Sequence, residues 1–414
     1  MLSTRELLVR NRDFRRLFLA SVVSMAGDWF SYVAVASLVT ELTGRPGAPA
    51  FVYAATVLPV FVASPIAGTI ADRFDRRRIL VIADLLRVPI ALALCVAAWW
   101  GSTALAVAAV IALAIGASFS DPIASAATPN LVEPDDLASA QSLMGAVWGS
   151  MLMVGAGIGG LVAEVLGRQT AFAIDALSFL VSAWLVAGIR RPMQLARTAR
   201  AGGAIQPTQP AHADGTMREA VAYVRANPIV LRLVFAKVVA STANGIVGLL
   251  PSFATRRFAG TGIATGLLFA ARGLGAMTGP ILSRGAVGAT PARRAVMIIC
   301  GTSTLTYCVV YAVFPLTHLF AVAMVLVILA HLGGGANWSL STYGLQRETP
   351  DHVRGRVMSL DYGLATLAIG ASAIAAGLLA DSYGEAAATW ILAAVGGGCG
   401  VAWLAWSLTA VRTP

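Results

Sequence analysis

The chain has 414 residues, of which 57% are hydrophobic and 12% charged, and its mean hydropathy is +0.76. A soluble protein must keep its surface hydrated, so this composition excludes one and reads as a polytopic membrane protein. The net charge of +10 reads as a topology signal and as contact with anionic lipid headgroups, and no nucleic-acid partner is expected.

Apolar runs follow one another at Phe14–Leu42, Ala50–Ile70, Ile79–Trp100, Ala104–Ala127, Leu137–Leu166, Thr170–Ile189, Pro228–Phe253, Gly262–Leu282, Ala295–Phe314, His318–Leu345, Val357–Ala380 and Ala386–Leu408. Each suits a bilayer crossing, which predicts an all-α protein of twelve transmembrane helices with both termini on one side. The first run is too long for a signal-peptide core and has no convincing cleavage site, so it is read as the first crossing. Arg45, Arg168, Arg256 and Arg257 fall on one face, and most other basic residues fall on the face shared by the termini and the central loop. That second face is predicted to be cytoplasmic.

The longest polar stretch, Arg190–Asn227, divides the runs six and six. It predicts an N-terminal six-helix bundle over 1–190, a central cytoplasmic loop over 191–227 and a C-terminal six-helix bundle over 228–414. The middle of the loop, Gly202–Thr216, is rich in Gly, Pro and Thr and is expected to be flexible. Its end, Met217–Arg225, has apolar residues at helical spacing and is predicted to lie along the inner membrane surface.

The halves echo each other. Pro134-Asp-Asp-Leu-Ala-Ser-Ala-Gln-Ser-Leu143 resembles Pro350-Asp-His-Val-Arg-Gly-Arg-Val-Met-Ser-Leu360, and Gly160-Leu-Val-Ala-Glu164 resembles Gly377-Leu-Leu-Ala-Asp381, as in a duplicated six-helix unit. Cys95, Cys300, Cys308 and Cys399 all lie in apolar runs, and His212, His318, His331 and His352 are scattered, so no disulfide framework or metal site is expected. The only lysine is Lys237, which rules out a Gly-Lys-Ser/Thr phosphate loop and with it direct ATP hydrolysis. The chain is not read as an enzyme and no cofactor is expected; a proton gradient is the expected source of energy.

The densest charge cluster is Gly68-Thr-Ile-Ala-Asp72-Arg73-Phe-Asp-Arg76-Arg77-Arg78, between the second and third runs. It resembles the cytoplasmic signature loop of the major facilitator superfamily, G-x-x-x-D-R-x-G-R-[KR], with Asp75 in place of the second glycine. The resemblance covers essentially the whole chain. Gly27-Asp28-Trp29-Phe30, Glu133-Pro-Asp-Asp136 and Asp175-Ala-Leu-Ser-Phe179 look like the branch of bacterial enterobactin exporters and macrolide efflux proteins. The resemblance implies a cytoplasmic latch. Asp72 would cap the inner end of the eleventh run near Arg354–Arg356, Arg76 would pair with Asp121, and these pairs would hold the outward-open state. The alternative is that these arginines only enforce topology. Gly155-Ala-Gly157-Ile-Gly159-Gly160 is similar to the G-P-x-x-G-G element of the superfamily's antiporters, with Ala156 for proline; ordinary small-residue packing is the other reading.

Among single residues Asp28 is the sharpest. It lies mid-run, where a carboxylate costs roughly 2.5–3.5 kcal/mol on insertion scales unless it meets a cavity or a partner. It is either a proton carrier or a carboxylate held permanently by a basic residue. Arg272 must meet an anion, either a protein carboxylate, with Asp28 and Asp361 as candidates, or an acidic group on the substrate. Lys237 is expected to snorkel to the inner surface, and His331 to be a hydrogen-bonded packing residue. Asp84 and Arg87 project from one helix face and are expected to neutralise each other. Trp29, Tyr32, Trp148, Asn244, Phe269, Asn337 and Trp338 sit on runs that line the central cavity in this superfamily, and offer a pocket for an amphipathic molecule.

The leading expectation is a monomeric, proton-coupled exporter of amphipathic small molecules such as drugs or siderophores in the bacterial inner membrane. Solute uptake or lysophospholipid movement by the same fold is the alternative. A transporter-like sensor is the remote one.

Overall fold

The computed structural model describes residues 4–194, 217–287 and 292–410, and all their regular structure is helical. A short α1 (Thr4–Arg10) leads into α2 (Arg12–Thr43), α3 (Ala48–Arg73), α4 (Arg76–Trp100), α5 (Thr103–Leu131), α6 (Leu137–Val165) and α7 (Arg168–Ala187). After α8 (Met217–Ala226) come α9 (Pro228–Ser241), a 3-10 turn at Asn244–Leu249, the brief α10 (Leu250–Ser252), α11 (Gly262–Val287), α12 (Arg293–Val313), α13 (Phe320–Glu348) and α14 (Asp351–Ala410). Among the described residues nine helical stretches are long and apolar enough to cross a membrane, and Ala48–Ala63 is a shorter apolar one. The 60-residue α14 is two helices joined at Gly384, whose φ of 83° is open to glycine and strained for other residues. Its arms, 351–383 and 385–410, correspond to the last two apolar runs.

Short polar turns separate the helices. Asn11, Asp75 and Ser102 each accept a backbone N–H from the first turn they precede, from Phe14 at 3.0 Å, Arg78 at 2.8 Å and Leu105 at 3.3 Å. These side chains satisfy donors that a helix start leaves orphaned. Asp75 therefore starts α4, which gives the departure from glycine in the signature loop a physical role. Large apolar side chains such as Leu86, Val165, Trp184 and Ile281 stay exposed, because lipid is the solvent they meet. Trp99 and Trp100, exposed at the end of α4, suit the interfacial aromatic belt.

Helices α2 to α7 pack on one another, as do α9 and α11 to α14, and the two groups meet along α6 with α11 and α3 with α14. Glycine makes the meeting close. A Cβ on Gly160 would lie 3.0 Å from Gly266 Cα, and one on Gly248 would lie 2.7 Å from Ala50 Cα. Such contact is how membrane helices gain dispersion energy without a hydrophobic drive between them. Ionic ties fasten the same end of the molecule: Arg45 Nε donates to Asp381 at 3.0 Å, Gly47 N to Asp381 at 2.9 Å, and Arg256 lies 3.7 Å from Glu385. At the opposite end, where the Asp75 turn lies, Gly145 and Gly355 face open space.

The central loop residues 195–216 lie outside the described residues. The next helix, α8, buries Ala220 and Val224 in a cluster with Val230, Leu233 and Val353, and Tyr223 donates its hydroxyl to the Glu348 carbonyl at 2.8 Å. Its apolar side is thus covered by the second helix group.

Candidate functional site

Charged side chains buried in an apolar bundle have to find one another, and in the first helix group they do so around Arg87. Its side chain is 1% exposed, its Nη2 donates to Asp28, its Nη1 donates to Ser24 Oγ at 3.1 Å and lies 3.7 Å from Asp84. The guanidinium stacks 3.9 Å over the Phe179 ring, a favourable cation–π placement. Gly116 makes the room, since a Cβ there would fall 2.7 Å from Arg87 Cγ. Asp175, fully buried on α7, accepts from Ser31, and Ser178 Oγ lies 3.5 Å from its other oxygen. Gly27 lets α2 approach this carboxylate: a Cβ on it would fall 2.6 Å from Asp175 Oδ1. Asp28 is the open member of the group, with 34% of its side chain exposed.

Arg87 therefore shares its charge between Asp84 and Asp28, and does not serve Asp84 alone as its sequence neighbour. In the sequence Asp175 stands out only as part of a short motif, and its charge is easily missed. Its mid-run position, the same property that singles out Asp28, is the available signal.

The glycine run of α6 connects this group to the second half. Gly155 and Gly159 lie against α2: their Cβ atoms would meet Ala26 Cα at 3.3 Å and Phe30 Cα at 2.7 Å, on either side of Asp28. Gly160 faces α11 instead, through the Gly262 carbonyl and Gly266. One glycine of the three thus seals the halves, and the other two seat α6 on the helix that carries Asp28.

Where the halves meet, aromatic residues from four helices surround Arg272. Tyr32 packs edge-on against Phe269 with ring centroids 5.1 Å apart, Trp29 lies 6.0 Å from Phe269, and Tyr53 lies 6.3 Å from Tyr32. The Arg272 guanidinium sits 5.7 Å from the Tyr53 ring, 5.8 Å from Trp148 and 5.9 Å from Phe269. Tyr53 donates to Asn244 Oδ1 at 3.0 Å and accepts from Arg272 Nη2 at 3.3 Å, so α3, the 3-10 turn and α11 are tied through one hydroxyl. Tyr53, outside the sequence candidates, is the hub of the cage. Behind it Tyr311 and His331 share a hydrogen bond of 3.0 Å, and Tyr307 packs edge-on to the same imidazole at 5.4 Å.

Three expectations need correcting. Asp28 and Asp361, the two carboxylates considered for Arg272, are taken by Arg87 and Lys237. Lys237 does not snorkel: it is 3% exposed, bonds Asp361 and Thr342 Oγ1, the latter at 2.8 Å, and lies 5.0 Å over Trp338. The partner supplied by α14 holds it at depth. Asn337 turns away from the cage and donates to the Cys300 carbonyl at 3.2 Å and Thr304 Oγ1 at 3.1 Å, where it ties α13 to α12. Trp338, 6.2 Å from Tyr362, belongs with Asp361 in a second cluster apart from the cage.

In the signature loop, Arg76 donates to the carbonyls of Ala126 at 2.7 Å and Met193 at 3.2 Å, and Arg77 to that of Ala187, all within the first half. The side chains of Asp72, Arg73 and Asp121 lie outside the described residues, and Gly68 falls on α3. A polar cleft of about 360 Å³ between α1 and the start of α6, lined by Arg10, Asp13, Glu133 and Arg191, is remote from the cage.

Residues 8–411 match the family described as transmembrane secretion effectors. The chain is 28% identical over 382 residues to the multidrug efflux pump Tap of Mycolicibacterium fortuitum, a match that covers 89% of each chain. It is 24% identical over 247 residues to the uncharacterized MFS-type transporter YkuC of Bacillus subtilis, covering 59% of this chain and 57% of that one. A crystal structure of the nucleoside transporter NupG, in a mutant form, superposes with a TM-score of 0.73 at 13% identity over 95% of this chain and 99% of that one. At such identity the likeness concerns the fold.

Proposed function

This chain belongs to the transmembrane secretion effector family of major facilitator transporters, and from that premise we propose that it is a proton-coupled exporter of amphipathic small molecules. It is an integral membrane protein and a transporter, with no covalent chemistry on the substrate. The finer reading has twelve crossings, both termini cytoplasmic, two six-helix bundles over 1–190 and 228–414, and a monomer in the bacterial inner membrane. The efflux activity named for the similar pump Tap supports export.

The observation that carries proton coupling is the Arg87 group. One guanidinium is paired with Asp28 and Asp84, a third carboxyl group, Asp175, lies in the same cluster on serine hydroxyls, and only Asp28 has a side chain more than slightly exposed. Charge balance in a medium of low dielectric is reached only when protons reside on the surplus carboxyls. Asp28 is the group that exchanges them with the cavity. Because α6 is seated on both sides of Asp28 and touches α11 through Gly160, a change of charge there alters the fit between the halves. Protonation and substrate then bias the inward-open and outward-open forms in opposite directions.

In this reading the ties at Arg45, Asp381, Arg256 and Glu385 close the outer side, and the present state is taken as the inward-facing one. The latch through Asp72, Arg76 and Asp121 belongs to the other state, and Arg76 waits on the backbone of its own half. The test is transport by the purified protein in proteoliposomes under an imposed pH gradient, with a panel of dyes, antibiotics and siderophores. Accumulation that follows the gradient is expected; accumulation of the same compounds indifferent to the gradient would remove proton coupling.

A further inference from the structure

Among the described residues three arginines are buried in the helix groups, and they differ in what satisfies them. Arg87 has carboxylates. Arg232, 8% exposed, donates to the carbonyls of Pro228 at 2.9 Å and Trp406 at 3.0 Å and to Thr409 Oγ1 at 3.2 Å. Arg272 is 7% exposed and has one long bond, to the Tyr53 hydroxyl, while its Nε and Nη1 have no hydrogen-bond partner among the described residues.

A guanidinium keeps its charge and cannot shed a proton to escape burial. Leaving its donors unmade in an apolar site is expensive, so a buried arginine of this kind is completed by an anion. The surroundings are built for one. The Tyr32 hydroxyl is also buried and has no partner among the described residues, so it is a second donor without an acceptor. The rings of Trp29, Tyr53, Trp148 and Phe269 give these donors an apolar wall. Trp148, at 46% exposure, is the most exposed member of the cage.

We infer that the Arg272 cage is a subsite for the anionic group, carboxylate or phosphate, of an amphipathic molecule whose apolar body lies along the aromatic wall toward Trp148. The inference deepens the export reading by naming the charge of the cargo, and rests on it only for the direction of movement. Since α2, α3 and α6 come from one half and α11 from the other, an anion held here bridges the halves. Cations and neutral amphiphiles leave the guanidinium unpaired and are disfavoured for the same reason.

The test is equilibrium binding to the full chain in phosphatidylcholine nanodiscs without a pH gradient, so failed proton coupling leaves it readable. The probes are 11-dansylaminoundecanoic acid and its primary amide, followed by energy transfer from tryptophan. The acid is expected to bind about 10-fold or more tightly than the amide, the equivalent of one hydrogen bond to a charged group. Arg272→Gln should abolish that preference, with acid and amide then bound equally, and Tyr32→Phe, which spares the guanidinium, should reduce it about threefold. Repeating the titration with phosphatidylglycerol in the nanodisc separates the sources. Unchanged acid binding assigns the subsite to a free amphiphile, and its loss assigns it to a lipid headgroup. Equal affinity of acid and amide in the unaltered protein, or a preference that survives Arg272→Gln, would overturn the inference; neither result bears on gradient-driven transport of other compounds.

Discussion

The two helix groups each bury ionic side chains, and they do so on different terms. In the second, Lys237 and Asp361 are matched one to one and are 3% and 1% exposed. In the first, one arginine is paired with two carboxyl groups, Asp28 and Asp84, a third, Asp175, is held by serines nearby, and Asp28 reaches open space. A sealed, balanced pair can hold a geometry, whereas an unbalanced group with an open member can exchange protons. Under the proposed function the first kind of burial is structural and the second carries the proton.

The largest expected effect comes from Asp28→Asn, which keeps the shape of the side chain and removes its charge change. Gradient-driven accumulation in proteoliposomes should fall to the level of empty vesicles while the protein still inserts and folds. Coupling at the wild-type level would break the contrast outright. Next is the balanced pair. Lys237→Met strands Asp361 and should lower stability by about 3–5 kcal/mol, whereas Lys237→Met with Asp361→Leu should recover most of it, because a well-packed apolar replacement spares the desolvation of both ions. Thermal unfolding in detergent checks the first part. Transport that survives in the double variant sharpens the assignment, and its loss would move the pair into the mechanism.

Smaller effects are expected at the two ends of the molecule. Asp72→Asn should weaken contacts made only in the opposite state and shift the ensemble a few-fold toward the present one, and Arg76→Ala, which also loses its present bonds to the Ala126 and Met193 carbonyls, should shift it the same way by less. Spin-label distances between the Asp75 ends of α3 and α14 report this directly; unchanged distributions would leave these arginines as topology determinants. The smallest is Arg45→Ala. With the Arg45 side chain 59% exposed, its tie to Asp381 is worth about 0.2–1 kcal/mol. Its removal should shift the same distances slightly in the other direction, an effect that fades in high salt.

The helices themselves were legible in the sequence because apolar runs of crossing length leave little choice, and Gly384 stands where the last two runs divide. The family was legible in the charge cluster around Asp72. What could not be read was pairing. Asp28 was visible as a carboxylate out of place, but its partner Arg87 lies on another helix and looked committed to Asp84, three residues away. Lys237 looked close enough to the surface to snorkel because nothing local revealed Asp361 across the bundle. Side-chain direction was equally hidden: Asn337 and Trp338 are adjacent, yet one is turned into α12 and the other toward α14. Asp75, read as a loss of the turn glycine, proved to be a helix cap, a function that its residue type allowed and its position alone did not announce.

The seam at Gly160, Gly262 and Gly266 has a consequence for time. Most protein interfaces part by withdrawing side chains from pockets, and each withdrawal waits on rotamer changes in crowded surroundings. Here main chain rests on main chain, so α6 and α11 can roll apart with no rotamer to reset along that line. The seam behaves as a smooth bearing, and the pace of parting is left to the ions at the rim and to the lipid that must move aside.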